Sequence, residues 1–337
     1  MGRRTTISVL TGLAAVVIAL LAAACGGSDA GLVVYSGRSE ELVGPLFEQF
    51  QEETGIQLDV RYGDSADLAL LIAEEGDRSP ADVFYSQSPG AVAFLAEREL
   101  LGSLGADTLQ QVDAELRSPD GEWIGITGRQ RVLVYNADEV DEADLPASID
   151  ELTDPEYRDR VAVAPANGSF QDFVTAMRQT RGDEATEEWL AGMAANNAPN
   201  YAKNSAIVDA VARGEVPMGL VNHYYNFRAL AEDGDLPSRN HLFEGGDLGA
   251  VVLPSTASLV AGSERSEDAE ALIDFLLSPA GQSYFSEETF EYPLAGDTAP
   301  SADLPPLSGQ ELPDYDIGRL ADLGRTVELI RESGLEQ

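Results

Sequence analysis

The segment Val221-Asn222-His223-Tyr224-Tyr225-Asn226 carries the most unusual side chains of the sequence. It follows an apolar run over 216–221 that reads as a strand, and it precedes a helical stretch from Phe227 onward. Strand ends are where ligands of open α/β sheets bind. Two phenols at such a turn could converge on one hard cation, because phenolate is an anionic oxygen donor and a ferric ion gains most from such ligands. Free tyrosine keeps its proton until about pH 10, so holding two phenolates at neutral pH takes a strongly charged cation. That favours trivalent iron over magnesium or calcium. The competing reading of the pair is plain packing, with one ring in the core and the other on the surface.

Composition narrows the remaining chemistry. The 337 residues include 59 acidic and 21 basic side chains, two histidines and one cysteine, for a formal charge of -38. Such an excess repels phosphate backbones and anionic headgroups, which excludes nucleic acid as a partner. One cysteine forms no disulfide within the chain, and two histidines give little material for a zinc cluster or a histidine-based triad. Metal chemistry must therefore lean on oxygen. No metal motif sits on consecutive strand ends and no Gly-x-Ser-x-Gly turn marks a hydrolase.

Arg3 and Arg4, the mostly apolar run 7–24 and the string Leu21-Ala22-Ala23-Ala24-Cys25 read as a bacterial export signal, too short for a comfortable membrane span. Small residues before a cysteine, then the polar Gly26-Gly27-Ser28-Asp29, resemble a lipoprotein processing site. That implies removal of residues 1–24, lipid on Cys25, and a tether over 25–30 at the outer face of the cytoplasmic membrane. The mature chain would then touch the membrane only through its anchor and have no free thiol.

The elements that must position the tyrosines follow from periodicity. Residues 31–36 read as a strand and 40–53 as an amphipathic helix with Leu42, Val43, Leu46, Phe47 and Phe50 on one face. Strands over 56–62 and 81–85 alternate with helices over 65–75 and 89–99, the latter capped by Ser88. Residues 123–127 and 131–136 read as two strands joined by Gly128-Arg129-Gln130. A second α/β series follows, with strands over 161–164, 216–221, 251–253 and 258–261. Helices are expected over 169–181, 206–213, 266–277, 280–286 and 317–333. Alternating β and α elements argue a doubly wound sheet in two lobes. Tyr35, Tyr85 and Tyr135 fall within strands, where a packed ring with a bonded hydroxyl is the default.

The chain resembles the ferric-ion-binding periplasmic proteins of ATP-binding cassette importers. The resemblance runs from Val34-Tyr35-Ser36-Gly37 through Glu74-Glu75-Gly76-Asp77, Pro80-Ala81-Asp82-Val83-Phe84-Tyr85, Gly128-Arg129-Gln130-Arg131 and Tyr201-Ala202-Lys203-Asn204-Ser205 to Asn222-His223-Tyr224-Tyr225 and Glu291-Tyr292-Pro293-Leu294. It implies a type II periplasmic-binding fold, an α/β architecture of mixed sheets flanked by helices with a ligand cleft between two lobes. Lobe 1 would take 31–131 plus 256–306, and lobe 2 would take 132–255 plus 307–337. It implies a monomeric, non-enzymatic binding protein that passes Fe(III) to the membrane permease, with Tyr224 and Tyr225 as ligands. The same fold binding a phosphonate or a thiamine-like cation is the alternative.

The family's other ligands are altered. Where one branch has His after the first strand and Glu after Asp-Val-Phe-Tyr, this chain has Ser39 and Gln87; where another has His then Tyr and a third Tyr, it has Ser39, Glu40 and about Ser169. Glu40 and Gln87 are thus the candidates to join the tyrosines, although Glu40 at a helix start also serves the dipole. A six-coordinate ferric ion would still be short of ligands. The resemblance supplies a synergistic phosphate or carbonate, bound by Asn167, Gly168 and Ser169 at a helix start with Asn204, Ser205 and Asn222. Fe(III), two phenolates and a phosphate dianion leave one negative charge over, which Arg129 or Arg131 would offset, a surface salt bridge being the other role for these arginines. If the tyrosines face the crevice as the family's do, His223 points into the lobe interior or hinge.

Overall fold

The computed structural model describes residues 31–301, 304–307 and 309–336. The expected export signal and Cys25 lie outside the described residues. The strands are β1 (Leu32–Ser36), β2 (Leu58–Tyr62), β3 (Val83–Ser86), β4 (Ile124–Asn136), β5 (Val161–Ala162), β6 (Met218–Asn222), β7 (Ser238–His241), β8 (Val252–Leu259) and β9 (Tyr292–Pro293). The helices are α1 (Glu40–Thr54), α2 (Ser65–Glu75), α3 (Pro89–Ala96), α4 (Ala106–Leu109), α5 (Gly168–Arg181), α6 (Asp183–Ala195), α7 (Asn204–Ala212), α8 (His223–Asp233), α9 (Ser266–Leu277), α10 (Pro279–Glu288) and α11 (Leu323–Ser333).

The strand order is β2-β1-β3-β8-β4-β6-β5, with β7 and β9 as further partners of β4. β1 runs parallel to β2 and β3, and β5 parallel to β6, while β8 and β4 join these groups by antiparallel pairing. The first half of β4 pairs with β8 and β9, and its second half, from Arg131, pairs with β6 and β7. Apolar packing divides along the same line. Val34, Phe47, Phe50, Val83 and Leu272 belong to one buried cluster, and Leu133, Phe170, Phe173, Trp189 and Leu220 to another.

The helices form for the reasons the sequence states. Leu42, Val43, Leu46, Phe47 and Phe50 are all buried, and α1 stops at Gly55, whose φ of 76° lets its N–H turn back to the Gln51 carbonyl. Each such apolar side chain removed from water contributes about 1.5–3 kcal/mol.

Five readings are corrected. Residues 123–136 hold one strand, not two, because Arg129 and Gln130 stay extended while their side chains bond buried carbonyls, Arg129 those of Gln87 and Pro254 and Gln130 that of Ala250. Gly128 suits this crossing, since a Cβ there would lie 3.0 Å from Val252 and 3.3 Å from Tyr292 in the flanking strands. Likewise 252–259 is a single strand, because Pro254 to Ser258 keep their pairing to β4 and β3. The helix expected from Phe227 begins at His223. The last helix is broken into a 3₁₀ turn, Ile317–Arg319, and α11, as Asp316 and Asp322 each cap the backbone that follows. The expected cap of α3 also differs: Ser88 occupies the N-cap position but makes no side-chain cap bond, and its hydroxyl is turned to Asp172. Among the elements absent from the sequence reading, α6 is held by Trp189, whose indole N–H donates to the Ile149 carbonyl at 2.8 Å.

Candidate functional site

A cleft of about 1060 Å³ opens where β1, β2 and β3 end, facing the first turns of α5, α7 and α8. One wall is built from residues 37–42, 62–67, Gln87 and Ser88, and the other from 166–169, Gln171, 202–203, Ser205 and Tyr225. An ion pair between Arg228 of α8 and Glu41 of α1 crosses its mouth.

Tyr224 and Tyr225 sit in the first turn of α8, with Asn222 as its N-cap. Their rings stack with centroids 4.2 Å apart and planes at 28°. Tyr225 lines the cleft and is half-buried. Tyr224 is 0 % exposed and its hydroxyl has no hydrogen-bond partner. Burial pushes the Tyr224 phenol well above its usual range and Tyr225 adds to this, while the Arg38 and Arg129 guanidiniums pull the other way. A buried, unbonded phenol is costly to keep unless something completes it. The two tyrosines thus divide between core and surface as the packing alternative expects, yet they share one stack and leave one oxygen unpaired.

Arg38, which the sequence reading did not single out, lies beside them. It is buried in an ion pair with Glu291, whose other oxygen accepts from Thr127. Burial works against the Arg38 charge, but Glu291 and the phenols of Tyr224, Tyr85 and Tyr225 hold it protonated. The Tyr85 hydroxyl is also unpaired, contrary to the expected bonded hydroxyl, and burial pushes it up to about 12. Tyr35 and Tyr135 do bond, to Glu75 and Glu142. Another cleft-lining phenol that the sequence reading passed over is Tyr62, at the end of β2; burial raises its pKa, as does the proximity of Glu40.

Ser39 and Glu40 are exposed at the start of α1, and Gln87 receives an Arg38 hydrogen bond at 3.5 Å. Arg129 and Arg131 are both fully buried with no carboxylate partner among the described residues, so the surface-salt-bridge alternative fails. Arg131 donates to Asn222 and the Leu220 carbonyl and lies over the Phe170 and Phe173 rings; burial pulls its pKa down to about 9.

The turn over 167–169 starts α5. Asn167 Oδ1 accepts from the Ser169 N–H at 3.1 Å and the Ser169 hydroxyl at 2.6 Å, which is ordinary capping. Asn204, first residue of α7, reaches the Ser169 hydroxyl at 3.1 Å, so two helix N-termini meet there. Asn204 Oδ1 and Asn222 Nδ2 are buried without partners. In a chain with 59 acids, none stands in the first turn of α5, α7 or α8, whereas α1, α6 and α9 each carry two. Positive helix ends left uncompensated suit an anion.

His223 faces inward, as expected. Its Nδ1 accepts from the Gln130 N–H at 3.0 Å and its Nε2 lies 2.8 Å from the Phe290 carbonyl oxygen, which makes Nε2 the donor. Burial lowers its pKa to about 4. Both ring nitrogens are used, so neither is free for a metal. Among the described residues, no group of three or more His, Cys, Asp or Glu side chains could hold a metal ion.

A family model described as bacterial extracellular solute-binding protein matches residues 78–321. The chain is 33% identical over 326 residues to the Fe(3+)-binding periplasmic protein of Serratia marcescens, covering 96% of each. It is 31% identical to the major ferric iron-binding protein of Neisseria meningitidis, covering 94% of this chain and 98% of that one. Iron-bound HitA from Pseudomonas aeruginosa superposes with a TM-score of 0.86 at 36% identity, over 90% of this chain and 99% of that one. A putative 2-aminoethylphosphonate-binding periplasmic protein of Salmonella typhimurium is more distant, at 25% identity over 76% of this chain.

Proposed function

The chain belongs to the bacterial extracellular solute-binding proteins and has their two-lobed type II fold, and from that premise we propose that it captures Fe(III) for an ATP-binding cassette importer. The observation that carries this reading is the stacked pair at the cleft, with the buried and unpaired Tyr224 hydroxyl beside the cleft-lining Tyr225. A ferric ion would ionise both phenols and replace the missing hydrogen bond with two metal–oxygen bonds. Glu40, Gln87 and Tyr62 are the oxygen donors of the facing wall. The anion, phosphate or carbonate, would sit on Asn167, Gly168, Ser169, Asn204, Ser205 and Asn222, where helix ends stand without acids. Arg131, buried without a carboxylate, and Arg129, which makes no ion pair but faces the Asp172 carboxyl, would offset its charge, and Ser39 would stay at the cleft edge. The lipid anchor on Cys25, the monomeric state and the assignment of 31–131 plus 256–306 and of 132–255 plus 307–337 to two lobes belong to the same proposal. No bond in the cargo is made or broken; binding and hand-over to the permease are the whole activity.

The test is a visible-absorption titration of the mature protein with ferric citrate, with and without phosphate or bicarbonate. Phenolate-to-iron charge transfer should give a band at roughly 450–500 nm that saturates at one iron per chain and strengthens with one anion. Tyr224→Phe and Tyr225→Phe keep the ring and remove the oxygen, so each should lose the band's full intensity and lower affinity by orders of magnitude while melting normally. Unchanged binding in both variants would overturn the site.

A further inference from the structure

Asp172 is a fully buried acid that the cleft chemistry leaves unused. It lies in the second turn of α5, and its side chain reaches across to the start of α3. The Ser88 hydroxyl donates to its Oδ1 at 2.8 Å, the Gly90 N–H faces the same carboxylate, and Oδ2 has no partner. α3 packs Ala91, Val92 and Leu95 into the apolar cluster around Tyr35 and Phe84, whereas α5 packs Phe170, Phe173 and Val174 into the cluster around Leu133 and Trp189. The carboxylate therefore links two separate cores. It gives α3 the acceptor and negative charge of an N-cap, supplied by a different helix. The approach is close, since a Cβ on Gly90 would lie 2.8 Å from Asp172 Oδ1 and 2.9 Å from the Leu320 carbonyl oxygen. Both ends of the link adjoin the cleft: Ser88 follows Gln87 on one wall, and Asp172 stands three residues beyond Ser169 on the other.

We propose that Asp172 is a positioning residue that ties the two walls of the cleft together, and that packing α5 against α3 is coupled to proton uptake by its carboxyl. Burial raises this carboxyl to about 6, with Ser88, Arg129 and the Gly90 N–H pulling it back. The groups facing it are Arg129 from β4, Tyr315 from the segment before Ile317, and Ser88 and Gly90 at the start of α3, a helix without titratable side chains. The sign follows from linkage: the packed arrangement holds the proton more tightly than an exposed carboxyl does, so packing is fully favoured below about pH 4, where an exposed carboxyl is protonated too, and that support is lost as pH rises through about 6. The walls take their meaning from the capture reading, but the test uses no cargo.

The experiment is thermal unfolding and small-angle scattering of the mature, cargo-free chain between pH 4 and 8. Asp172→Asn keeps the shape and removes the charge, so it should melt about 3–5 °C above the unsubstituted protein at pH 8, with the difference shrinking below about pH 6 and gone only near about pH 4, where an exposed carboxyl is protonated too. Ser88→Ala removes a bond that favours the carboxylate, so the midpoint of the pH dependence should move up. Asp172→Ala should increase the radius of gyration. A pH-independent difference for Asp172→Asn, an unmoved midpoint for Ser88→Ala or an unchanged radius for Asp172→Ala would overturn the proposal. A missing iron band would overturn the ferric reading alone and leave these melts to be judged by themselves.

Discussion

At the level of single residues, the chemistry of the pair Tyr224-Tyr225 was legible because both phenols are neighbours in sequence. Arg38 was not, because the Glu291 that keeps it buried lies 253 positions away. The pair shows how the site is held. Arg38 and Glu291 are 0 % exposed, the Glu291 carboxylate is shared between Arg38 and Thr127, and Thr127 bonds Ser255 at 2.7 Å. Phe290, just before Glu291, has a φ of 56°, a strained value for an aromatic residue, and its carbonyl meets His223. These contacts connect the helix carrying both tyrosines to the guanidinium beside them. Glu291→Gln should leave the Arg38 charge buried without a counter-ion and destabilise the fold by about 3–5 kcal/mol. Replacing both residues by apolar ones of similar volume should recover much of that loss. Urea unfolding checks this, and a midpoint for Glu291→Gln equal to that of the unsubstituted protein would refute it.

Elements with a single apolar face were readable from the sequence, and those that run between two partners were not. α1 and α9 repeat their apolar residues at helical spacing, β1 and β3 begin as short apolar runs, and β2 alternates Leu58, Val60 and Tyr62 with Asp59 and Arg61. β4 instead runs through Gly128-Arg129-Gln130, which reads as a loop on polarity. Arg129 Nη2 and the Gln130 amide find their partners on Gln87, Pro254, Ala250 and Gln310, all distant in sequence. The start of α5 presents the opposite difficulty: its capping by Asn167 is plain, but capping and anion binding use the same atoms. They separate by experiment. Asn167→Ala with Ser169→Ala should cost about 0.5–2 kcal/mol of stability through the lost cap whatever the solution contains. If the turn also holds the anion, iron affinity should fall tenfold or more when phosphate and carbonate are scarce and recover as either is raised. An equal loss at every anion concentration would remove the anion from this helix end.

The whole molecule carries a charge its own cations cannot balance. Even with every lysine and arginine paired, 38 carboxylates would stand without a partner. Several of the pairs that do form are exposed, such as Arg213–Glu215 and the group around Arg325, and exposed pairs add little. The buried arginines add nothing to the balance at the surface, since Arg38 is matched by Glu291 and Arg129 and Arg131 are 0 % exposed. Repulsion among surface carboxylates therefore acts against the compact state, while keeping the protein soluble and concentrating cations near it. Salt shortens the reach of that repulsion from about 10 Å at 0.1 M to about 3 Å at 1 M. The melting temperature of the cargo-free chain at pH 7.5 should accordingly rise by several degrees as sodium chloride is raised over that range. Exposed ion pairs would weaken in the same titration, so a melting temperature that stays flat or falls would mean that they outweigh the repulsion, and that the acidic surface is better compensated than its composition implies.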